Sequence, residues 1–522
     1  LSPMMCAKML KAHVNPNAFE RGVENTFEKV TNAYSRALDA VMEHRPVVIA
    51  FALIVFASLP VLFKFIPAEL APSEDKGAYM MMAKAPNTAN LDYIQNSMSE
   101  ITTRLGKDPA MATSLSFAGI PNSNQGMGIA VMKPWSQRPP LKEVMERTNA
   151  QMQDIPEMTV SSFQFPELPG AGGGMPLQYV ITTPNNFESL FQVADEVLQK
   201  VKANPQFIYS ELDLAYDSGT MRITVNRDKA GAYGITMQDI GVTLSTFMSD
   251  GYVNRIDLNG RSYEVIPQVE RKYRLNPESI KRYYVRAADG TQVPLGNLVN
   301  VELVTEPRSL PTFSQLNSAT ISVVPTPGVT MGDAVNFFEQ QITPQLPVGY
   351  QHNYMGEARQ YVTEGNALMG TFALALFVIF LVLASQFESV RDPLVILVTV
   401  PLSICGALIP IFLGLSSMNI YTQVGLVTLI GLISKHGILI VEFANQLRRE
   451  KGLSIREAIE EAASIRLRPV LMTTAAMVFG MVPLILASGA GAVSRFDIGL
   501  VIATGMSIGT LFTLFVLPCV YT

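Results

Sequence analysis

Residues Tyr421–Ala444 read YTQVGLVTLIGLISKHGILIVEFA, a run long enough to cross a bilayer as one helix, with Lys435 near its middle. A spanning helix needs about 20 apolar residues, and a charge at its centre costs at least ~2.5–3.5 kcal/mol. Such a lysine must face protein or water rather than lipid, which marks it as a candidate functional residue. Glu442 shares its helical face, but seven residues along the axis put it ~10 Å away. That is too far for a direct pair. The other long apolar runs carry no carboxylate at mid-depth, so the expected partner of Lys435 lies outside this sequence.

Five further runs have the same character: Pro46–Phe65, Ala367–Ala384, Pro393–Leu413, Pro469–Ser488 and Ile498–Thr522. With 48% hydrophobic and only 16% charged residues among 522, the chain reads as a membrane protein with a large water-exposed part. A net charge of −5 gives no reason to expect nucleic acid. Cys6, Cys405 and Cys519 form neither a disulfide framework nor a zinc spacing, and four scattered histidines make no metal cluster. The opening LSPMMCAKML reads as the end of a preceding membrane helix, without the basic start of a signal peptide. The last run is still apolar where it stops. The expectation is the second half of a longer protein.

Asn17–Glu43 spaces Phe19, Val23, Phe27, Val30, Tyr34, Leu38 and Val41 at threes and fours, the pattern of an amphipathic helix on the membrane surface. The boundaries expected from the sequence are 1–45 for the stub and surface helix, 46–65 for the first span, and 367–522 for the other five. Between them lies a polar region of alternating β-rich and helical patterns. Ala78–Ala83, Leu91–Leu105 and Met111–Phe117 form one strand–helix–strand set; Met127–Met132, Leu141–Gln153 and Thr159–Phe165 form another. This order predicts a split βαβ, ferredoxin-like sandwich over 66–175, and Gly170–Gly174 then reads as a linker, lacking the ending of a phosphate loop. A third set occupies 176–228 and resumes in 313–364, with 229–312 as an insertion forming its own subdomain. The fold class is thus an α/β membrane protein, a six-span helical bundle carrying a large α+β domain.

Orientation follows from the basic residues of the short loops. The segment 445–468 holds Arg448, Arg449, Lys451, Arg456, Arg466 and Arg468, whereas Gly414–Asn419 holds no charge. The 445–468 loop is therefore expected inside and residues 66–364 outside; Ile455–Ile465 is expected as a short interfacial helix. Arg466 lies just before Pro469, which suits a first helical turn. Thr473, seven residues beyond, falls on nearly the same face two turns deeper. A lysine, an arginine and a hydroxyl pointing into one bundle can serve carboxylates that change protonation, with Lys435 responding to the lost charge. A static buried ion pair, a positive-inside anchor and a helix-packing hydroxyl are the structural alternatives for Lys435, Arg466 and Thr473. His436, about 100° around the helix from Lys435, is assigned to packing or a supporting hydrogen bond.

GLISKHGILIVEFAN at 431–445 and IRLRPVLMTTAAMVFGMVPL at 465–484 resemble the resistance–nodulation–division efflux pumps, in their branch exporting hydrophobic and amphiphilic compounds. The order of segments is similar over nearly the whole chain. The resemblance implies a carboxy-terminal half whose missing amino-terminal half supplies an aspartate pair to Lys435, Arg466 and Thr473, the proton-relay positions. It implies a drug/proton antiporter rather than an enzyme, powered by the proton motive force without a cofactor. A homotrimer in the Gram-negative inner membrane, a periplasmic adaptor and an outer-membrane channel are implied as well. By the same resemblance 66–175 is the first porter subdomain, 176–228 with 313–364 the second, and 229–312 the docking subdomain.

Ser114–Gly119 resembles a switch loop between two pockets, and Phe117, Phe163 and Phe165 resemble substrate-binding phenylalanines; Phe163 and Phe165 share one strand face and ordinary strand packing is their other reading. Leu115, Ala110 and Val131 stand where aromatic residues are common, implying a less aromatic cavity. Two other functions compete, a secretion accessory or receptor-like protein of related architecture, and metal efflux in the same fold. Lys435 disfavours the metal branch, which carries a carboxylate motif in that helix, and the 26 methionines lie mostly in apolar runs, where Met fills cores.

Overall fold

The spans and polar segments take shape in a computed structural model, which describes residues 4–5, 18–86, 88–120, 122–156, 158–168, 175–248, 251–307, 309–326, 328–364 and 367–522. The Gly170–Gly174 run, Cys6 and most of the opening stretch lie outside the described residues. The chain divides into two compact units, one of residues 1–85, 91–212 and 313–522, the other of 86–90 and 213–312.

The larger unit opens with α1 (Ala18–Glu43) and α2 (Arg45–Phe65). Tyr34, Leu38 and Met42, four apart, are the buried face of α1, as the 3.6-residue period requires. Pro46 takes the first turn of α2, where a missing N–H costs nothing. There follow β1 (Ala78–Lys84), α3 (Leu91–Lys107), β2 (Met111–Ala118), β3 (Gln125–Met132), α4 (Leu141–Met152) and β4 (Thr159–Phe163). The strands make an antiparallel sheet ordered β2-β3-β1-β4, the pairing of a split βαβ unit. Alternate residues of β1 are buried, and Tyr79 donates from its hydroxyl to Thr148 on α4 at 3.2 Å. Residues 114–118 belong to edge strand β2, so the stretch expected as a switch loop is strand up to the turn at Gly119.

A second sheet starts with β5 (Leu177–Thr183), α5 (Phe187–Lys202) and β6 (Phe207–Leu212). The smaller unit then contributes β7 (Ser218–Val225), α6 (Arg227–Ala232), α7 (Met237–Met248), β8 (Asn254–Leu258), β9 (Arg261–Val265), β10 (Tyr284–Arg286), β11 (Gln292–Pro294) and β12 (Val299–Glu306). Ile240, Ile280, Leu295 and Leu298 centre its core. β7 pairs along its whole length with β12, so the unit begins after Leu212 and not at the expected 229. After β13 (Thr312–Phe313), the chain returns with β14 (Leu316–Pro325), α8 (Met331–Phe337), β15 (Gln351–Gly356) and α9 (Glu357–Glu364). β14 pairs β5 and β6, and β15 pairs β5. Tyr179 and Phe338 stack at 4.7 Å in that core.

Among the described residues, six helical segments are long and apolar enough to cross a bilayer. They are α2, α10 (Ala367–Phe387), the pair α11 (Arg391–Leu397) and α12 (Thr399–Phe412), α13 (Ile420–Lys451), α14 (Ile455–Ile485) and α15 (Ala492–Tyr521). The α11–α12 pair, α13 and α15 are largely buried; α2, α10 and α14 turn apolar faces outward. Gly509 lets α12 and α15 touch, since a Cβ there would stand 2.1 Å from Ser403 Oγ. The expected interfacial helix over 455–465 is instead the first part of α14, continuous through Pro469. A capping box between Ser454 and Glu457 starts that helix, and the proline interrupts only one backbone bond, on an exposed face, a loss membrane helices tolerate. The turn before it needs Gly452, whose φ of +67° is the left-handed cap typical of glycine.

Candidate functional site

Lys435 stands exposed on α13 and makes no ion pair or hydrogen bond among the described residues. Its neighbour His436 turns inward and is 1% exposed. His436 Nε2 lies 3.2 Å from Thr473 Oγ1 on α14, so the structure brings Lys435, His436 and Thr473 to one depth. Arg466 is elsewhere. Its guanidinium lies over the Phe443 ring at 4.4 Å, and Phe443 is eight residues past Lys435, ~12 Å along the helix. His436 was read from the sequence as packing or support, and its bond to Thr473 fits the latter. What the sequence lacked was the relative level of α13 and α14.

A second polar cluster, unread in the sequence, joins one end of the helices to the first sheet. The chain leaving α2 runs beside the α12–α13 loop: Met418 N–H donates to Pro67 O at 2.8 Å, and Glu69 N–H to Met418 O at 3.1 Å. Ser417 donates to Glu69. Asp497, 1% exposed, accepts from Ser416 Oγ and Asn419 Nδ2, each at 2.7 Å. Glu74 accepts from the Ser494 N–H at 2.7 Å and from its hydroxyl, capping the start of α15, where a carboxylate complements the helix dipole. Glu74 N–H in turn donates to Glu167 at 2.8 Å, and Glu167 N–H to Glu357 at 3.2 Å. Trp135 sits at the same place, donating from its indole to Asp75 O at 2.9 Å and lying against Gly489.

Burial, reinforced by neighbouring carboxylates, raises Glu69, Glu167 and Glu357 above the ordinary carboxylate range. A raised folded pKa means the folded junction holds protons more tightly than an unfolded chain does. Its stabilising contribution is complete below the unfolded carboxylate pKa and disappears as pH rises through the raised values. Mild acid therefore tightens the junction.

Between the two sheets of the larger unit lies a cleft of about 430 Å³. Phe163, Phe165, Ile208, Val324 and Met331 supply its apolar walls; Glu69, Glu167 and Glu357 reach the same space. Asn149 Oδ1, Ser162 Oγ and Gln164 Oε1 also border it, buried and without hydrogen-bond partners among the described residues. Phe163 is 3% exposed and lies at the end of β4, paired with Met80; Phe165 follows the strand and is half-buried. Phe117 is apart. It is 36% exposed on β2, the opposite edge of the sheet, with β3 and β1 between, ~14 Å from the β4 backbone. The structure thus joins two of the three phenylalanines and leaves the third on another surface.

These features can be set beside known proteins. Residues 1–522 match the AcrB/AcrD/AcrF family. The chain is 49% identical over 529 aligned positions to an uncharacterized transporter of Haemophilus influenzae, covering 100% of this chain and 51% of that protein. It is 30% identical to the multidrug resistance protein MdtF of Escherichia coli, covering 99% of this chain and 52% of MdtF. Against the multidrug/solvent efflux pump membrane transporter MepB of Pseudomonas putida the identity is 31%, covering 99% and 51%. The chain spans about half the length of the curated relatives it matches. A match along its whole length settles kinship: the chain belongs to the AcrB/AcrD/AcrF family of resistance–nodulation–division efflux proteins.

Proposed function

We propose that this chain is the carboxy-terminal half of a proton-driven exporter of hydrophobic and amphiphilic compounds. The observation that carries the reading is Lys435, a cation midway along a spanning helix with no ion pair or hydrogen bond among the described residues. The missing half supplies carboxylates to it, and proton uptake there changes what Lys435 and Thr473 face. Arg466, two turns nearer the basic loop, tunes the inner end of the same route. The proton motive force is the energy source and no cofactor takes part. The working assembly is a homotrimer in the Gram-negative inner membrane, meeting a periplasmic adaptor and an outer-membrane channel. Residues 66–175 and the second sheet act as porter subdomains, and the unit of 213–312 as the docking subdomain. Substrate passes through the cleft at Phe163 and Phe165; Phe117 serves from the outer edge of the sheet.

The direct test is export by the full-length pump in cells stripped of other pumps. Export that stops when a protonophore collapses the gradient supports the reading, and export indifferent to it refutes proton coupling. Orientation is checked separately. Ser417 is buried against Glu69 and would label poorly, whereas Leu415 in the same loop is 58% exposed. A cysteine at Leu415 is expected to react with an impermeant thiol reagent from the periplasmic side. Labelling only after the inner membrane is opened reverses the topology.

The three phenylalanines are expected to behave differently. Phe163→Ala empties a packed position at ~3–5 kcal/mol and lowers the amount of folded pump. Phe165→Ala leaves that amount unchanged and shifts the growth-inhibition profile over a panel of compounds. Phe117→Ala leaves the amount unchanged too, and an unaltered profile there removes Phe117 from the substrate path. Equal loss of protein in all three would make them packing residues only.

A further inference from the structure

The buried hydroxyls at mid-depth in the bundle are nearly all accounted for by their own helices. Thr399 donates to Ile396 O at 2.8 Å, Ser403 to Thr399 O at 2.9 Å, and Ser434 to Ile430 O at 2.6 Å. Thr510 donates to Met506 O at 2.7 Å and Thr513 to Gly509 O at 2.8 Å. Helix backbone can satisfy a hydroxyl this way; an imidazole has two ring nitrogens and needs two partners. His436 has one. Its Nδ1 is buried without a hydrogen-bond partner among the described residues, which is costly unless the atom has a use.

The tautomer follows from Thr473. That hydroxyl has two carbonyl oxygens at 3.0 Å, of Pro469 and Val470, against one ring nitrogen at 3.2 Å. With its proton on a carbonyl, Thr473 Oγ1 accepts from His436 Nε2–H. Nδ1 is then a bare lone pair, one residue from Lys435, itself without an ion pair among the described residues.

We infer that His436 is a proton-holding and positioning residue of the transport cycle, with Nδ1 the atom that takes the proton. This rests on the proton-coupled reading of α13 and α14. The proton comes from a hydronium ion on the outer side, leaving water; an imidazolium forms, with Nε2–H still on Thr473; water on the inner side takes the proton back. No covalent bond between heavy atoms changes. Because Lys435 is adjacent, the imidazolium persists only while a carboxylate of the other half matches the lysine charge. Lys435 reports the state of that carboxylate to His436, and Thr473 carries the change to α14.

The helices packed on α13 are α10, α11, α12, α14 and α15, and their charges lie far from His436. α10 and α12 carry none. α11 has Arg391 and Asp392, and Asp392 accepts from Asn445, ~14 Å along α13 from His436. α15 has Arg495 and Asp497, with Asp497 on Asn419, ~25 Å the other way. α14 has Arg466 on Phe443 and Arg468, five residues before Thr473, on Phe27 of α1, with Arg456, Glu457, Glu460 and Glu461 nearer its start; α13 itself adds Glu442, Arg448, Arg449, Glu450 and Lys451. Among the described residues of the helices packed on α13, Lys435 is the charge next to the ring.

The test uses the full-length pump reconstituted in liposomes, with ethidium as the transported probe and an imposed proton gradient, from about pH 5 to about pH 8, where a histidine titrates. His436→Gln keeps an amide N–H able to reach Thr473 but cannot titrate; His436→Asn is a shorter control for folding, followed through membrane amount and trimer content. The expected result is that the rate of the unsubstituted pump changes about tenfold across this range, and that of His436→Gln less than about twofold. Equal pH profiles for the two overturn the inference, because a purely structural histidine would leave the profile unmoved. Ethidium movement independent of the proton gradient in the unsubstituted pump overturns the transport reading itself, a distinguishable failure.

Discussion

Lys435→Met in the full-length pump is expected to reduce export by ~100-fold or more, the scale of losing a proton-handling group. The amount of pump in the membrane and its oligomeric state are expected to stay unchanged. Methionine nearly matches lysine in length, and removing the charge spares an insertion cost of ~2.5–3.5 kcal/mol. The exposed position of Lys435 means that its loss leaves no buried partner among the described residues unsatisfied. Uptake and growth assays measure the export, and size-exclusion chromatography of the solubilised pump measures assembly. Normal export by Lys435→Met would reduce the residue to a static charge. Lost export together with lost trimer would make it an assembly residue instead.

Glu74→Ala is expected to destabilise the larger unit by ~2 kcal/mol, because the Ser494 N–H and hydroxyl lose their acceptor in a buried place and α15 loses its cap. Glu74 is 7% exposed, so water replaces it poorly. Glu74→Gln keeps an acceptor oxygen and is expected to recover much of the loss. Thermal unfolding of the solubilised pump, followed by circular dichroism, ranks the three proteins. If Gln is as damaging as Ala, the charge on the helix terminus matters more than the hydrogen bonds. If neither moves the unfolding temperature, the contact is incidental.

Lys435 was legible as a candidate because a cation inside an apolar run is visible without any partner. The six spans were legible for a similar reason: bilayer thickness fixes a length that composition alone reveals. Contacts between distant segments were not. His436 and Thr473 are 37 residues apart, and only the level at which α13 and α14 pack brings them together. Glu74 and Ser494 are 420 apart, and neither a loop glutamate nor a serine near a helix start points to the other. β7 shows the same limit for strands, since period two identifies a strand while pairing depends on register with β12. Pro469 misled in the other direction. A proline near the start of an apolar run reads as a helix beginning, and the stronger signal was the capping box fifteen residues earlier.

Trp135 gives the junction an optical consequence. It is the chain's single tryptophan, and its indole is held by Asp75 O on one side with Gly489 on the other. All tryptophan emission from this chain therefore originates where the first sheet meets the loop between α14 and α15. Trp135 is already 43% exposed, so separation of those two parts would uncover only the face now against Gly489 and shift its emission further to the red. Comparing the protein with its Trp135→Phe form isolates that signal from any tryptophan outside this sequence, so the junction carries its own spectroscopic label without chemical modification.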